Sequence, residues 1–248
     1  MQRVASVVSI MLLAAGAGRA VAAPSALVAD LSSHHINITT SFSGTQLLLF
    51  GATEGAGDIV VVVRGPQRQE VLRRKERIAG IWINSQSVTF DDVPGYYFQA
   101  STRPLSEIAD ERTLQRLQIG VTRVPMRVAD DGVETGANPY WRALLRLKRK
   151  GNLYSVSPTP IRVIADRLFR VELTFPASVP TGTYTAEIYL FRGKKPVSIE
   201  RKDLLVRRAG AEAAIFDFAH QHSAIYGILA VVVALLAGWL AGVIFRKV

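Results

Sequence analysis

A chain of 248 residues with 30 Lys and Arg against 20 Asp and Glu, and so a net charge of +10, is long enough for one large or two small domains with cores of their own. It has no cysteine, which excludes disulfides, thiolate metal sites and cysteine nucleophiles. The basic excess suits anionic surfaces such as lipid headgroups or an anionic partner.

Met1 to Ala23 begins with Arg3, continues as an apolar run from Val7 to Ala15 and closes on the small residues Ala20-Val21-Ala22, the form of a secretory signal. Cleavage is expected after Ala22, because one residue later would leave Pro24 first. Residues 1–22 are therefore read as a signal peptide and 23–208 as a periplasmic domain. A retained N-terminal anchor is the alternative, and both readings put 24–208 outside the cytoplasm. That stretch holds 26 Lys and Arg and 18 Asp and Glu. Nucleic acid is not an expected partner on that side of a membrane.

The first section predicts strands. Ile36 to Phe42 alternates with period two, Gly44-Thr45 turns into Gln46–Phe50, and Asp58–Val63 is a β-branched run suited to a strand buried on both faces. The glycine-rich stretch Gly51–Gly57 between them lacks Gly-Lys-Ser/Thr and precedes a strand, so it reads as a hairpin loop and not a phosphate cradle. Glu70 to Asn84, Ser87–Phe90 and Tyr96–Ala100 extend the β pattern, with Asp91–Gly95 as a turn. The cluster Arg73, Arg74, Lys75, Glu76, Arg77 near Trp82 has two readings, an edge strand protected by charge and an anion-binding patch.

From about 104 to 151 the period changes to three and four. Pro104 opens a helix on which Leu105, Ile108, Leu114 and Leu117 share a face, stopped by Gly120. A second helix is capped by Asn138, has Pro139 first and ends at Gly151. On it Arg142, Arg146 and Arg149 line one face, which either is solvated or docks phosphate headgroups or an acidic partner. Strands then return: Arg162–Ile164, Leu168–Phe175, Thr183–Phe191 and Val197–Arg207. A strand, a Pro/Gly corner, a Gly-x-Tyr step and a final hairpin suggest the last three strands of an immunoglobulin-like β-sandwich, with Tyr184 as the corner tyrosine. Phe90–Tyr97 has a weaker form of the pattern, compatible with a second sandwich. The fold class expected is mainly β: one immunoglobulin-like sandwich with a helical insertion, plus one C-terminal transmembrane helix.

Residues 209–224 read as a juxtamembrane helix containing His220 and His222. Ile225–Phe245 is uncharged, and its 21 residues at about 1.5 Å each match the roughly 30 Å hydrocarbon core. Arg246-Lys247 opens a tail, 246–248, expected in the cytoplasm by the positive-inside rule. This gives a single-pass protein of the inner membrane with its bulk in the periplasm. Ala234, Gly238 and Gly242 stack on one face and admit close helix packing.

The stretches LVADLSSHHINITTSFSG, VVVVRGP, RRKERIAGIWIN, ALLRLKRKGNLY, VPTGTYTAEIYLF and FDFAHQHSAIYGILAVVVALLAGWLAG resemble a family of alphaproteobacterial transmembrane proteins. The resemblance implies a signal, an exported domain and one C-terminal span, and no activity that transfers to individual residues. It also implies gene neighbourhoods encoding sulfite or sulfonate exporters.

Three functions follow from these expectations. The first is a membrane-anchored interaction module, accessory to a transporter (a sulfite/sulfonate-type exporter) or to an envelope complex, whose partners are the bilayer and another integral membrane protein or a second copy. The second is a binder of an anionic solute or polymer through Arg73, Arg74, Arg77, Arg142, Arg146 and Arg149. The third, a hydrolase or a copper protein, has little support: Gly-x-Ser-x-Gly, His-Glu-x-x-His and Ser-x-x-Lys are missing from the sequence, and no carboxylate spacing joins the four histidines. No catalytic residue, metal ligand or cofactor is expected.

Overall fold

The computed structural model describes residues 26–78, 80–128, 139–210, 215 and 218–245. The expected signal peptide, the Asn138 cap and the tail Arg246-Lys247 lie outside the described residues. The chain opens with β1 (Leu27–Leu31), β2 (His35–Ile38), β3 (Gly44–Thr53) and β4 (Asp58–Arg64). A long pair, β5 (Gln67–Ile78) and β6 (Ile81–Pro94), leads to β7 (Tyr97–Ser101), α1 (Leu105–Ile108) and α2 (Glu111–Arg116). Then follow β8 (Arg127–Val128), α3 (Pro139–Lys150), β9 (Thr159–Pro160), β10 (Arg162–Ile164) and β11 (Leu168–Pro176). The body ends with β12 (Gly182–Arg192) and β13 (Lys195–Arg208), and α4 (Ser223–Phe245) is the last helix.

Alternation in sequence becomes a two-sheet core. Strand β11 buries every second residue, Phe169, Val171, Leu173 and Phe175, as a strand with one wet face must. These side chains, with Leu47 and Leu49 of β3, pack on Ile59, Val61 and Val63 of β4 and Ile188 and Leu190 of β12. The four-stranded sheet has the order β1-β3-β11-β10, and the facing six-stranded sheet the order β2-β13-β12-β4-β7-β9. In immunoglobulin lettering these contain the A-B-E-D and G-F-C orders, with β2 added parallel to β13. The Tyr184 hydroxyl donates to the Pro180 carbonyl at 2.5 Å, the corner that the Gly-x-Tyr step predicts.

Strand β4 is buried on both faces, as its valine run predicts. Ile59, Val61 and Val63 serve the sandwich core, whereas Val60 and Val62 face a second core with Phe90, Tyr97, Trp141, Leu144, Tyr154, Tyr189 and Phe191. That second core glues the β5-β6-β8 sheet and the helices onto the outer face of the six-stranded sheet.

Five expectations need correction. The glycine-rich stretch after β3 does not make a hairpin: β3 and β4 belong to different sheets, so it crosses between layers. The alternation from Ile36 to Phe42 is strand only to Ile38, after which the chain turns. The helix expected across Leu105–Leu117 is two short helices, because Asp110 is extended (φ −73°, ψ 159°) and its carboxylate accepts from the Thr113 amide at 2.7 Å, starting α2 afresh. Asp91–Gly95 is mostly strand, with Asp92 bulged at φ 58°, and the real reversal lies between Ile78 and Ile81. The Phe90–Tyr97 stretch holds no second corner, since the Tyr97 hydroxyl donates to Gln118 and the Tyr96 hydroxyl to Thr174, 78 residues away.

Helix α4 is continuous through the anchor. Its Ser223–Gly242 window has a mean hydropathy of 2.4 and buries none of its residues against the body, so among the described residues it is the one helix long and apolar enough to cross a membrane. Just before it the His222 amide donates to Phe218 and the Tyr226 amide to His222, each at 2.9 Å, so helical bonding enters the span from the juxtamembrane side.

Candidate functional site

The β5–β6 hairpin leaves the sandwich at one pole. Its base is fixed where the Gly65 amide donates to Tyr96 at 2.9 Å, the Gly95 amide to Pro66 at 2.8 Å and the Arg68 guanidinium to Thr181 at 2.9 Å. Leu72, Phe90 and Val93 root it in the second core. Farther out the register runs through Glu76–Ile83 and Arg77–Trp82 to Ile78–Ile81, closing over a two-residue connection. The second of these residues, Gly80, has φ +84°, a conformation that costs a residue without Cβ nothing.

Helix α3 lies along this ribbon. Trp141 and Leu144 enter the second core, the Tyr140 hydroxyl donates to Gln86 Oε1 at 2.6 Å, and Lys148 Nζ donates to Glu70 Oε1 at 2.6 Å. Lys148 is 7% exposed and also sits 5.9 Å from the Tyr154 ring centroid. Between α3 and β5 runs a groove of about 510 Å³, lined by Val71, Leu72, Arg73 and Arg74 on the strand and Tyr140, Ala143, Leu144 and Leu147 on the helix. Among the described residues β5 pairs only with β6, so the groove borders the edge strand of its sheet, where backbone donors and acceptors can take an added strand. Apolar walls, a cationic rim and an open edge suit an extended or helical protein segment.

The expected anion-binding residues divide into separate places. Arg73 and Arg74 line the groove, Arg74 also pairing with Glu76 at 3.1 Å, while Arg77 stands beside the hairpin turn and donates to the Gly80 carbonyl at 3.2 Å. Arg142, Arg146 and Arg149 are exposed on α3 and do not line the groove. Ala234, Gly238 and Gly242 are exposed on α4, with open space within 4 Å of a Cβ built at either glycine. Among the described residues no group of three or more His, Asp or Glu is placed to hold a metal ion.

Sequence reasoning missed the charged network behind the groove. Glu187 on β12 accepts from Tyr189 at 2.7 Å, from Arg201 at 2.9 Å and from Arg64. Arg64 in turn donates to the Leu117 and Gln118 carbonyls at 3.0 Å each, at the end of α2. Burial alone would push the Glu187 carboxyl up; the bonds from Tyr189 and Arg201 and the charge and bond of Arg64 outweigh it and hold the group below the ordinary carboxylate value. Burial pushes the neighbouring Tyr97 hydroxyl up to about 12, and that hydroxyl accepts from the Gly120 amide at 2.7 Å. These groups pin the insertion to the sandwich. Only the alternation of β12, which sets Glu187 and Tyr189 two apart on one face, hinted at them.

A search of the curated proteins finds no match to this chain. A model of the family described as "Putative transmembrane protein (Alph_Pro_TM)" matches residues 26–247, from the first strand through the apolar helix, and the chain, a single-span membrane protein built on a β body, belongs to that family.

Proposed function

We propose that this protein is a membrane-anchored interaction module, held by α4 in the inner membrane with its β body in the periplasm and serving as accessory subunit to another integral membrane protein. A transporter, of the sulfite or sulfonate exporter type, or an envelope complex is the partner class. The observation that carries this reading is the groove between α3 and the edge strand β5, whose walls are mainly apolar. An anionic solute needs convergent donors around it, whereas Val71, Leu72, Ala143, Leu144 and Leu147 offer a surface for side chains. Close packing of a partner helix on Ala234, Gly238 and Gly242 is a second contact in the same reading. The role is recognition and not catalysis.

A photo-crosslinking residue at Leu147, which is exposed, tests it in the full chain in its membrane. One integral membrane protein captured in near-stoichiometric yield, and lost when Val71→Glu charges the groove, is the expected result. A chain that stays uncrosslinked in its own membrane ends the proposal.

A further inference from the structure

The outer half of the β5–β6 hairpin is covered by none of the described residues. Ile78, Ile81, Trp82 and Ile83 are exposed, Ile81 and Trp82 by 68% and 65%, and every residue from Ile81 to Ser87 is exposed, so both faces of the ribbon stand in solvent. A two-stranded ribbon alone in water is marginal, and large apolar residues at its tip need a cover.

The pattern of side chains identifies that cover. Directly paired residues point to the same face, so the register puts Ile78, Ile81 and Ile83 on one face of the tip and Arg77 with Trp82 on the other. Arg73 and Lys75 alternate with period two onto the face of Arg77. Residues 73–84 hold four cations and one acid, Glu76, which Arg74 neutralises. Apolar residues at a tip, an indole beside them and cations a short way back are the arrangement that enters a bilayer interface, with rings at headgroup level and Lys and Arg among phosphates.

The topology supplies the reach. Antiparallel pairing of Arg64 with Thr185 and of Gly182 with Val206 puts the hairpin's root at the pole where β13 ends. From that pole residues 209–222 lead to α4. This connection spans about 21 Å if helical and at most about 46 Å extended, and the 12 residues of β5 reach about 37 Å. The ribbon is therefore longer than the gap that a helical tether leaves.

We infer that the β5–β6 hairpin is a second membrane-binding element, which seats Ile78–Ile83 in the interface of the bilayer that α4 crosses and holds Arg73, Lys75 and Arg77 among anionic headgroups. The body is then held at two points and its groove keeps a fixed height and rotation above the membrane. This does not rest on the groove's having a partner.

The cysteine-free chain makes the test clean. An environment-sensitive thiol fluorophore is placed at Ile81→Cys, and in a separate sample at Glu54→Cys in the β3–β4 connection at the opposite pole. Full chains are reconstituted in phosphatidylglycerol-containing vesicles, with and without lipids brominated on their acyl chains. The expected result is a blue shift and about threefold quenching at position 81, none at 54, and loss of the effect in 1 M salt, where the Debye length falls to about 3 Å, or on changing Arg73, Lys75 and Arg77 to Gln. Unchanged thermal melts verify that these exposed substitutions leave the fold alone. Equal, water-like emission at both positions overturns the inference. A blue shift at 81 without bromolipid quenching also overturns it, and assigns the tip to a protein surface.

Discussion

Lys148 and Glu70 stand 78 residues apart in sequence and 2.6 Å apart in space, and their pairing joins helix α3 to the root of the hairpin. Lys148 is buried and Glu70 partly so, which makes the pair sensitive to loss of one member. Lys148→Met alone leaves a carboxylate facing the second core, and a destabilisation of about 1–3 kcal/mol is expected, discounted for the exposure of Glu70. Lys148→Met combined with Glu70→Leu should recover most of it, since two apolar groups replace two charges. Urea unfolding of the four variants in detergent measures the coupling. Additive losses would show that the pair contributes nothing beyond its separate contacts.

The tyrosine corner gives a second prediction. Tyr184 is fully buried among Tyr96 and Phe175, with ring centroids 5.7 and 5.9 Å away, so Tyr184→Phe keeps the packing and removes only the hydroxyl. The Pro180 carbonyl then loses its donor. We expect about 1–2 kcal/mol, seen as a fall in Tm of about 2–8 °C for a body of this size. A melt unchanged within error would mean that water replaces the hydroxyl at no cost.

These residues also show what the sequence could reveal. The valine run of β4, the alternation of β11 and the Gly-x-Tyr step are local signals, and each led to the element that formed. The Ile78–Ile81 reversal was hidden because Arg-Ile-Ala-Gly-Ile-Trp has strand-forming residues on both sides of a turn marked by one glycine. The Leu105–Leu117 period outvoted Asp110, whose capping bond to Thr113 breaks the helix. Lys148 gave no signal of its own because its partner comes from β5, 78 residues away, and Arg64 and Glu187 are 123 residues apart. Charge partners at such separations leave no trace in a window of sequence, so the groove and the network behind it became visible only when the strands were paired.

The outward cations of α3 should behave unlike Lys148. Arg142, Arg146 and Arg149 are exposed, and exposed charges contribute little to folding. Changing all three to Gln should leave the melt nearly unchanged. If this face docks an anionic surface, the same change weakens vesicle or partner binding and flattens its salt dependence. Binding that is unaltered at low salt identifies a merely solvated face.

Acid should unfasten the insertion through Glu187. Its carboxyl is held below its ordinary value of 4.5 in the folded chain and returns to that value on unfolding. The unfolded state therefore takes up the proton first as pH falls, and stability rises with pH across that interval. The contribution is fully present above about pH 5.5 and is lost as pH drops through 4.5 toward the lower native value. Asp58, held down chiefly by its bond from Arg103, acts in the same direction from an ordinary value of 3.8. Glu187→Gln should then destabilise the body at neutral pH, because Arg64 keeps its bonds to Leu117 and Gln118 but loses its carboxylate. The gap between the variant and the native chain should narrow as pH falls, while the Asp58 share of the slope persists in both. Thermal melts from pH 7 to 3 measure this directly. A gap that stays constant over the whole range would show that Glu187 acts through shape and hydrogen bonding and not through its charge.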